Sequence, residues 1–400
     1  MKKNKTYELS KRLLFTLIMI FIYVVGRNII LYGINEGAYS IKELNQENLL
    51  NSVLTGDRNQ YTIFALGIMP YITVSIIVQI VLAILGKDVR NHISKIKLDN
   101  ITLFATLIFI IALALTKVNS LVFRQDLGVD LLTLKKLSCI EMIFGAMIIY
   151  FMAKSNAEYG IGGQTPFIII NIITSLINTK VSYKDDMFLA IAIVSMLIIA
   201  LTIFMEKKTI KIPVQRVSIH NEYAKNSFIE YKLNPTGMMP VMLAVSFFAI
   251  PQVIIKLLVY VFKDSVVLNN INNNFSLNTS FGIIVYLAIV FILTFVFAFV
   301  MLSPNDMSDM LQRSGDSIVG VYAGDRTRKY IRNKLIILCF ISGIVLCSIM
   351  GTSLFASTKG IVSSELALFP STLMMFVGNI ISIITEIKTY YKYDSYKFFV

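Results

Sequence analysis

Apolar residues along this chain come in runs near or above the roughly 18 residues needed to cross the hydrocarbon core of a bilayer. The runs predict ten spans, at about 13–33, 64–86, 101–117, 137–153, 163–178, 187–205, 236–251, 280–302, 335–352 and 367–387. The second run does not open like a simple anchor. Residues 64 to 84 read FALGIMPYITVSIIVQIVLAI, with a glycine and a proline in the first turns and an amide, Gln79, near the far end.

The same opening recurs. Gly67-Ile68-Met69-Pro70 and Gly237-Met238-Met239-Pro240 each begin the second span of a five-span set. Because five is odd, the second set must be inverted relative to the first, as in halves related by an axis in the membrane plane. Proline is compatible with a helix start, where its missing N–H has no partner. Glycine just before it allows a bend, so each motif marks a span that begins within the membrane region or at its lip. Upstream, ELNQENLLNSVLTGDRNQY (residues 43–61) is polar with an apolar patch at Leu49, Leu50, Val53 and Leu54. That patch suits a small re-entrant helix or one amphipathic turn of an ordinary outside loop.

Composition fixes the solvent. With 56% hydrophobic and 15% charged residues, and a positive mean hydropathy, this chain carries more apolar surface than one globule can hide. Lysines and arginines set the orientation, because basic segments resist translocation. With the N-terminus inside, the inside segments hold 25 of the 37 basic residues and the outside loops 10. Both termini are therefore expected to be cytoplasmic. Arg27 and Lys256 lie near span ends, where they can snorkel to the headgroups. The basic N-terminus ahead of an apolar run resembles a cleavable signal, but the run is too long and no small-x-small site follows, so it is expected to stay as the first span. The net charge of +13 is accounted for by this bias and by anionic lipid, and argues little for nucleic acid.

No catalytic chemistry is visible. His92 and His220, the only histidines, fall in separate basic loops and cannot build a paired-histidine metal site or a triad. Cys139, Cys339 and Cys347 lie within spans at no metal-ligand spacing and read as packing residues. Neither a Walker-type loop nor a dinucleotide fingerprint is present. Span interiors hold almost no carboxylates, Glu141 and Glu386 sitting near span ends, which weakens a proton- or ion-carrier reading.

IFALGIMPYITVSIIVQI (63–80) resembles the second-span signature of the SecY family of protein-translocation channels. The likeness continues in order through GIG (160–162), IPVQ (212–215), LNPTGMMPVM (233–242) and SPNDMSDMLQRSG (303–315). It implies an all-α polytopic membrane protein of about ten transmembrane helices in two inverted five-helix halves, 1–178 and 179–400, closing as a clamshell. The resemblance places Ile68, Ile72, Ile169, Ile173, Met242 and Met375 on an apolar ring at the channel's waist, and makes 43–58 a plug. Such a ring dewets and blocks hydrated ions, yet an extended polypeptide can push its side chains apart. The lateral exit would lie between the second and third spans and between the seventh and eighth. Gln79 would make either a polar contact across that seam or an ordinary interhelical hydrogen bond.

The resemblance further implies partners: a SecA-like ATPase motor, small SecE-like or accessory membrane subunits, secretory preproteins and membrane lipid, in a bacterial cell membrane. The matching docking loops are 206–235 and 303–334, with Lys207, Lys208, Lys211, Arg216, Arg313, Tyr322, Arg326, Arg328, Lys329 and Arg332. Topology retention alone also explains their charge. Several positions depart from the family pattern. Gly320-Val321-Tyr322-Ala323-Gly324 carries Tyr322 where the family's turn has an arginine, and a tyrosine cannot make a bidentate charged contact. Lys154 replaces a usual glutamate before GIG, Gly163-Gln164-Thr165-Pro166 replaces the family's Asn-Gly-x-Ser, and Pro370-Ser371 interrupts a glycine-rich tenth-span start. These departures suit an accessory paralogue with its own motor, exporting large, often glycosylated surface proteins in Gram-positive bacteria. The rival reading is a secondary transporter with an inverted repeat, which would need paired polar groups at mid-depth.

Overall fold

The computed structural model describes residues 8–35, 61–85, 92–119, 121–124, 130–178, 185–216, 227–245, 247–248, 251, 255, 277, 279–360 and 367–396. The chain divides into two units, Met1–Val181 with Asn379–Val400, and Ser182–Gly378. The first therefore takes in residues 379–400, which the halves drawn from sequence group with the second.

In the first unit the apolar runs become α1 (Glu8–Arg27), α2 (Met69–Leu85), α3 (Lys95–Val118), α4 (Leu131–Tyr159) and α5 (Thr165–Asn178). Helices are the available solution because lipid offers backbone groups no partner, so each segment must bond within itself. Helix lengths sort by role. At about 1.5 Å per residue, the 24 residues of α3 exceed the hydrocarbon thickness. The 17 of α2 and 14 of α5 fall short of it. The two short helices carry three of the four isoleucines assigned to the ring, and Ile68 stands just ahead of α2. Both start late because the chain ahead of them is turned: Gly67 takes φ 58°, and Gly162 and Gly163 take φ 75° and 51°.

Non-helical segments of this unit pair with one another. Leu31 donates its N–H to Tyr61 O (2.9 Å), Ile63 to Ile29 O (3.0 Å), Asn35 to Val122 O (3.1 Å) and Arg124 to Gly33 O (2.9 Å). Their side chains Leu31, Ile34, Leu66 and Phe123 bury with Ile110 and Met142 in one core. The plug residues Leu49, Leu50, Val53 and Leu54 lie outside the described residues.

The second unit begins with α6 (Asp185–Lys207) and continues through β1 (Thr209–Gln215), β2 (Phe228–Lys232), α7 (helical over 239–245), α8 (Ser280–Met301), α9 (Pro304–Ser314), β3 (Ser317–Ile318) and α10 (Asp325–Thr358). The last helix, α11 (Phe369–Tyr396), gives its residues through Gly378 to this unit. A three-stranded antiparallel sheet of order β2-β1-β3 adds to the helical architecture where only basic loops were expected. In β1, Ile212 and Val214 are buried while Lys211, Pro213 and Gln215 are exposed, the period of two that a one-sided sheet requires. Pro213, which has no N–H, stands at the hand-over between partners: it faces Phe228 at the end of β2, and the next residue, Val214, faces Ile318 of β3. A central strand tolerates proline at such a point because no ladder bond is lost.

Helix α9 is set by its caps. Ser303 Oγ accepts from Asp306 N–H (3.2 Å), Pro304 opens the first turn, and Asp316 N–H returns to Leu311 O (2.9 Å) past Gly315. Pro304, Ser308 and Leu311, spaced for one helix face, are its buried residues. Helix α10 has 34 residues, about 50 Å at 1.5 Å per residue, more than a bilayer needs. Its first turns leave the span expected over 335–352, and Ile331 and Leu335 pack with Ile212, Val214, Leu311 and Ile318. The two predicted docking loops therefore share one small core. Among the described residues, six helices are long and apolar enough to cross a membrane; α2 and α5 are shorter apolar helices.

Candidate functional site

The Gly67–Pro70 turn of the first unit is built among buried side chains. Ala65 and Ile72 are fully buried and Ile68 is 1% exposed. Ala65 donates to Thr62 O (3.0 Å), Gly67 to Phe64 O (2.9 Å), and Ile72 to Ile68 O (3.2 Å), which starts α2. Glycine supplies the positive φ that a side chain would resist. Phe64 stacks on Tyr23 of α1 with ring centroids 5.8 Å apart. Tyr23 meets Phe167 of α5 edge-on at 5.2 Å, and its hydroxyl donates to Asn171 Oδ1 at 2.7 Å. One contact was not expected: Lys117 Nζ, at the end of α3, donates to Ala65 O. On α5, Ile169 is half-buried and Ile173 exposed. Gln79 is exposed on α2.

The Gly237–Pro240 turn of the second unit repeats this construction. Gly237 has φ 62°, Gly237 N–H donates to Asn234 O (3.4 Å), and Met242 N–H donates to Met238 O (3.2 Å). Asn234, fully buried, donates through Nδ2 to Gly237 O (2.8 Å) and to Glu206 Oε1 (3.2 Å). Its Oδ1 accepts from Thr236 Oγ1 (3.4 Å). Glu206 is 5% exposed, and its other oxygen pairs with Lys232 Nζ of β2 at 3.5 Å. Met242 and Met375 are each 2% exposed, so within their unit both are packed apolar side chains. At Gly378 on α11, a built Cβ would lie 2.3 Å from Met238 Cγ, which records how closely α11 and the start of α7 approach.

The GIG turn, uninformative as a motif, is a polar hub of the first unit. Asn156, fully buried, donates to Ile161 O (3.1 Å) and Gly163 O (2.6 Å). Ile161 N–H donates to Thr16 Oγ1 (2.8 Å), and Arg12 Nη1 to Glu158 O and Gly160 O (3.2 Å each). Glu386 accepts from Gly162 N–H (3.0 Å), and Glu141 accepts from Tyr32 N–H (3.1 Å). The two span-end carboxylates therefore serve backbone that no helix satisfies. Lys154 pairs with Asp99 at 3.1 Å.

The shared core of β1, β2, β3, α9 and α10 carries the basic docking residues. Lys207, Lys208, Lys211, Arg216, Arg313, Arg326, Lys329 and Arg332 are exposed. Arg328 differs: half-buried, it bridges Asp309 (3.7 Å) and Asp325 (3.3 Å), so its charge is neutralised within the fold. Lys211 pairs with Glu230 at 3.6 Å. Tyr322 is 74% exposed, and the Arg326 guanidinium lies 4.9 Å from its ring centroid, returning a cation to the position where the resemblance expects arginine. Burial pushes the Tyr231 phenol up. Among the described residues no cluster of His, Cys, Asp or Glu could hold a metal.

Sequence reasoning missed Lys117, Glu206 and Asn234. Asn234 stands inside LNPTGMMPVM and Glu206 is a lone acid at the end of an apolar run, signals available in the chain, whereas nothing in the sequence ties Lys117 to Gly67–Pro70.

Helices of spanning length, two glycine-broken helix starts and buried apolar side chains just after each define a polytopic α-helical membrane protein. A solved protein-conducting channel matches with a TM-score of 0.67 at 17% identity, over 98% of this chain and 95% of that one. Sec61 from the canine ribosome-channel complex of the endoplasmic reticulum matches with a TM-score of 0.65 at 17% identity and the same coverage. The SecY family model matches residues 62–389, and the chain belongs to the SecY family. Two relatives are the accessory Sec system protein translocase subunit SecY2 of Streptococcus sanguinis (strain SK36), 25% identical over 97% of each chain, and that of Leuconostoc gelidum subsp. gasicomitatum, 26% identical over 98% of this chain and 97% of the relative. None of these likenesses favours the secondary-transporter reading.

Proposed function

We propose that this chain is the pore subunit of an accessory protein-export translocon in a bacterial cell membrane, passing unfolded preproteins through a gasket formed by Ile68, Ile72, Ile169, Ile173, Met242 and Met375. The observation that carries the reading is the repeated glycine–proline turn, which delivers Ile68 and Ile72 in one unit and Met242 in the other as buried apolar side chains at the start of a helix. An apolar constriction is a barrier to hydrated ions while leaving no polar group to hold a passing chain. A signal sequence's apolar core then gains about 0.8 kcal/mol per methylene by leaving the conduit for lipid, through a seam beside Gln79. No chemistry in the chain supplies energy, so a SecA-like ATPase, in an accessory form, drives transport from the basic platform. Small SecE-like or accessory subunits brace the exposed apolar faces. Both termini and the platform are cytoplasmic on the distribution of basic residues. The names of the two relatives support the accessory system; the family resemblance suggests large surface glycoproteins as its passengers.

The test is a stalled passenger with a photo-crosslinker placed in the channel. Ile72 and Met242 positions should crosslink to it, while Phe144, 66% exposed on α4, should crosslink to lipid only. Equal labelling from all three positions, or none from Ile72 and Met242, would sink the proposal.

A further inference from the structure

Each glycine–proline turn leaves a backbone carbonyl that the following helix does not use, and in each unit a side chain takes it. In the first, Ala65 is fully buried, and the ladder of α2 begins later, with Ile72 N–H on Ile68 O. The Lys117 ammonium fills that gap. A lysine on an apolar membrane helix is costly to keep and is retained where it has a specific partner. In the second, Gly237 O is taken by Asn234 Nδ2 at 2.8 Å, and that amide is steered by the carboxylate of Glu206, at the end of α6, at 3.2 Å. Burying a carboxylate is expensive too, and here Lys232 and Asn234 offset the cost.

We propose that Lys117 and the Glu206–Asn234 pair are positioning residues of the constriction: they lock the two helix starts that present Ile68, Ile72 and Met242. The inference rests on the gasket reading but goes beyond it, since it gives a role to three residues outside the gasket. The logic is geometric. A turn held only by its own backbone bonds can rock about its glycine, whose φ near 60° in both units carries no side chain to resist rotation. A third point of attachment on a neighbouring helix removes that freedom. The unpartnered alternative removes that attachment and leaves the carbonyl without its protein donor, which favours rearrangement of the turn. The two units use opposite charges for one task, a donor acting directly in the first and an acceptor acting through an amide in the second.

The experiment is resting ion conductance of the purified full-length chain in planar bilayers, with thermal unfolding in detergent as the check on folding. Lys117→Met keeps the apolar stem and removes the donor; Asn234→Ala removes the amide. Each should raise the resting leak several-fold in protein that still unfolds in one cooperative transition, and Lys117→Arg should restore the seal that Lys117→Met loses. Ile72→Gly serves as control. If Ile72→Gly leaks and the folded lock variants do not, the lock is wrong and the gasket stands; if Ile72→Gly itself stays tight, the gasket reading fails first. Should Lys117→Met not assemble, Glu206→Gln replaces it: the amide oxygen still accepts from Asn234, so the seal should hold, whereas Glu206→Ala should leak. Equal conductance of those two overturns the proposal.

Discussion

A single buried amide shows how much structure one residue can hold. Asn156 ties α4 to the turn ahead of α5 through two carbonyls, and nothing at that depth replaces it. Asn156→Ala should therefore cost about 1–3 kcal/mol, the usual penalty for leaving buried polar groups unpaired. Gly160→Ala should be at least as damaging, because the added Cβ would lie 2.0 Å from Asn156 Oδ1 and 2.7 Å from Thr16 Oγ1. Thermal unfolding in detergent measures both, and a Gly160→Ala protein as stable as the parent would refute the hub. Such contacts were not legible in the chain. Apolar periodicity says which residues avoid water but not which amide meets which carbonyl, so GIG looked empty while Asn156 went unnoticed. The glycine–proline motifs were legible because proline and glycine constrain the backbone wherever they stand.

At the scale of elements, the spans could be read and the sheet could not. A membrane helix announces itself through length, since roughly 20 apolar residues have no other stable arrangement in lipid. Strand β1 has seven residues, TIKIPVQ, with a proline in the middle. That stretch passes for a polar loop until Ile318 and Phe228 are known to flank it. Helix α10 was read too short for a related reason: its first turns are polar on one side and bury Ile331 and Leu335 against the sheet rather than in lipid. The platform should be separable in stability from the spans. Ser303→Ala removes the N-cap of α9 and should cost about 1 kcal/mol. Hydrogen exchange should quicken over 304–314 and in β3 while α8 stays protected. Uniform loosening, or no change, would mean that the cap does not set this element.

For the whole molecule, what matters is which motor the platform accepts. Asp309 and Asp325 face Arg328 and Glu230 faces Lys211, while Lys207, Lys208, Arg313, Lys329 and Arg332 are exposed and give this surface a positive field for a partner. A positive field alone attracts any acidic motor and cannot choose between two. Choice needs a shaped feature, and Tyr322 with Arg326 is one: the ring is 74% exposed and carries the guanidinium on its face, presenting a flat cation where an arginine would present a free fork. Tyr322→Arg should release Arg326 from its ring, place two guanidinium groups side by side, and shift preference from an accessory motor toward a housekeeping one. The measurement is ATPase stimulation of each motor by the same reconstituted channel. A fall for the accessory motor with a rise for the housekeeping one is expected, since specificity is a difference between two affinities. Parallel changes in both would mean that Tyr322 contributes only to general adhesion and that selection lies elsewhere on the platform.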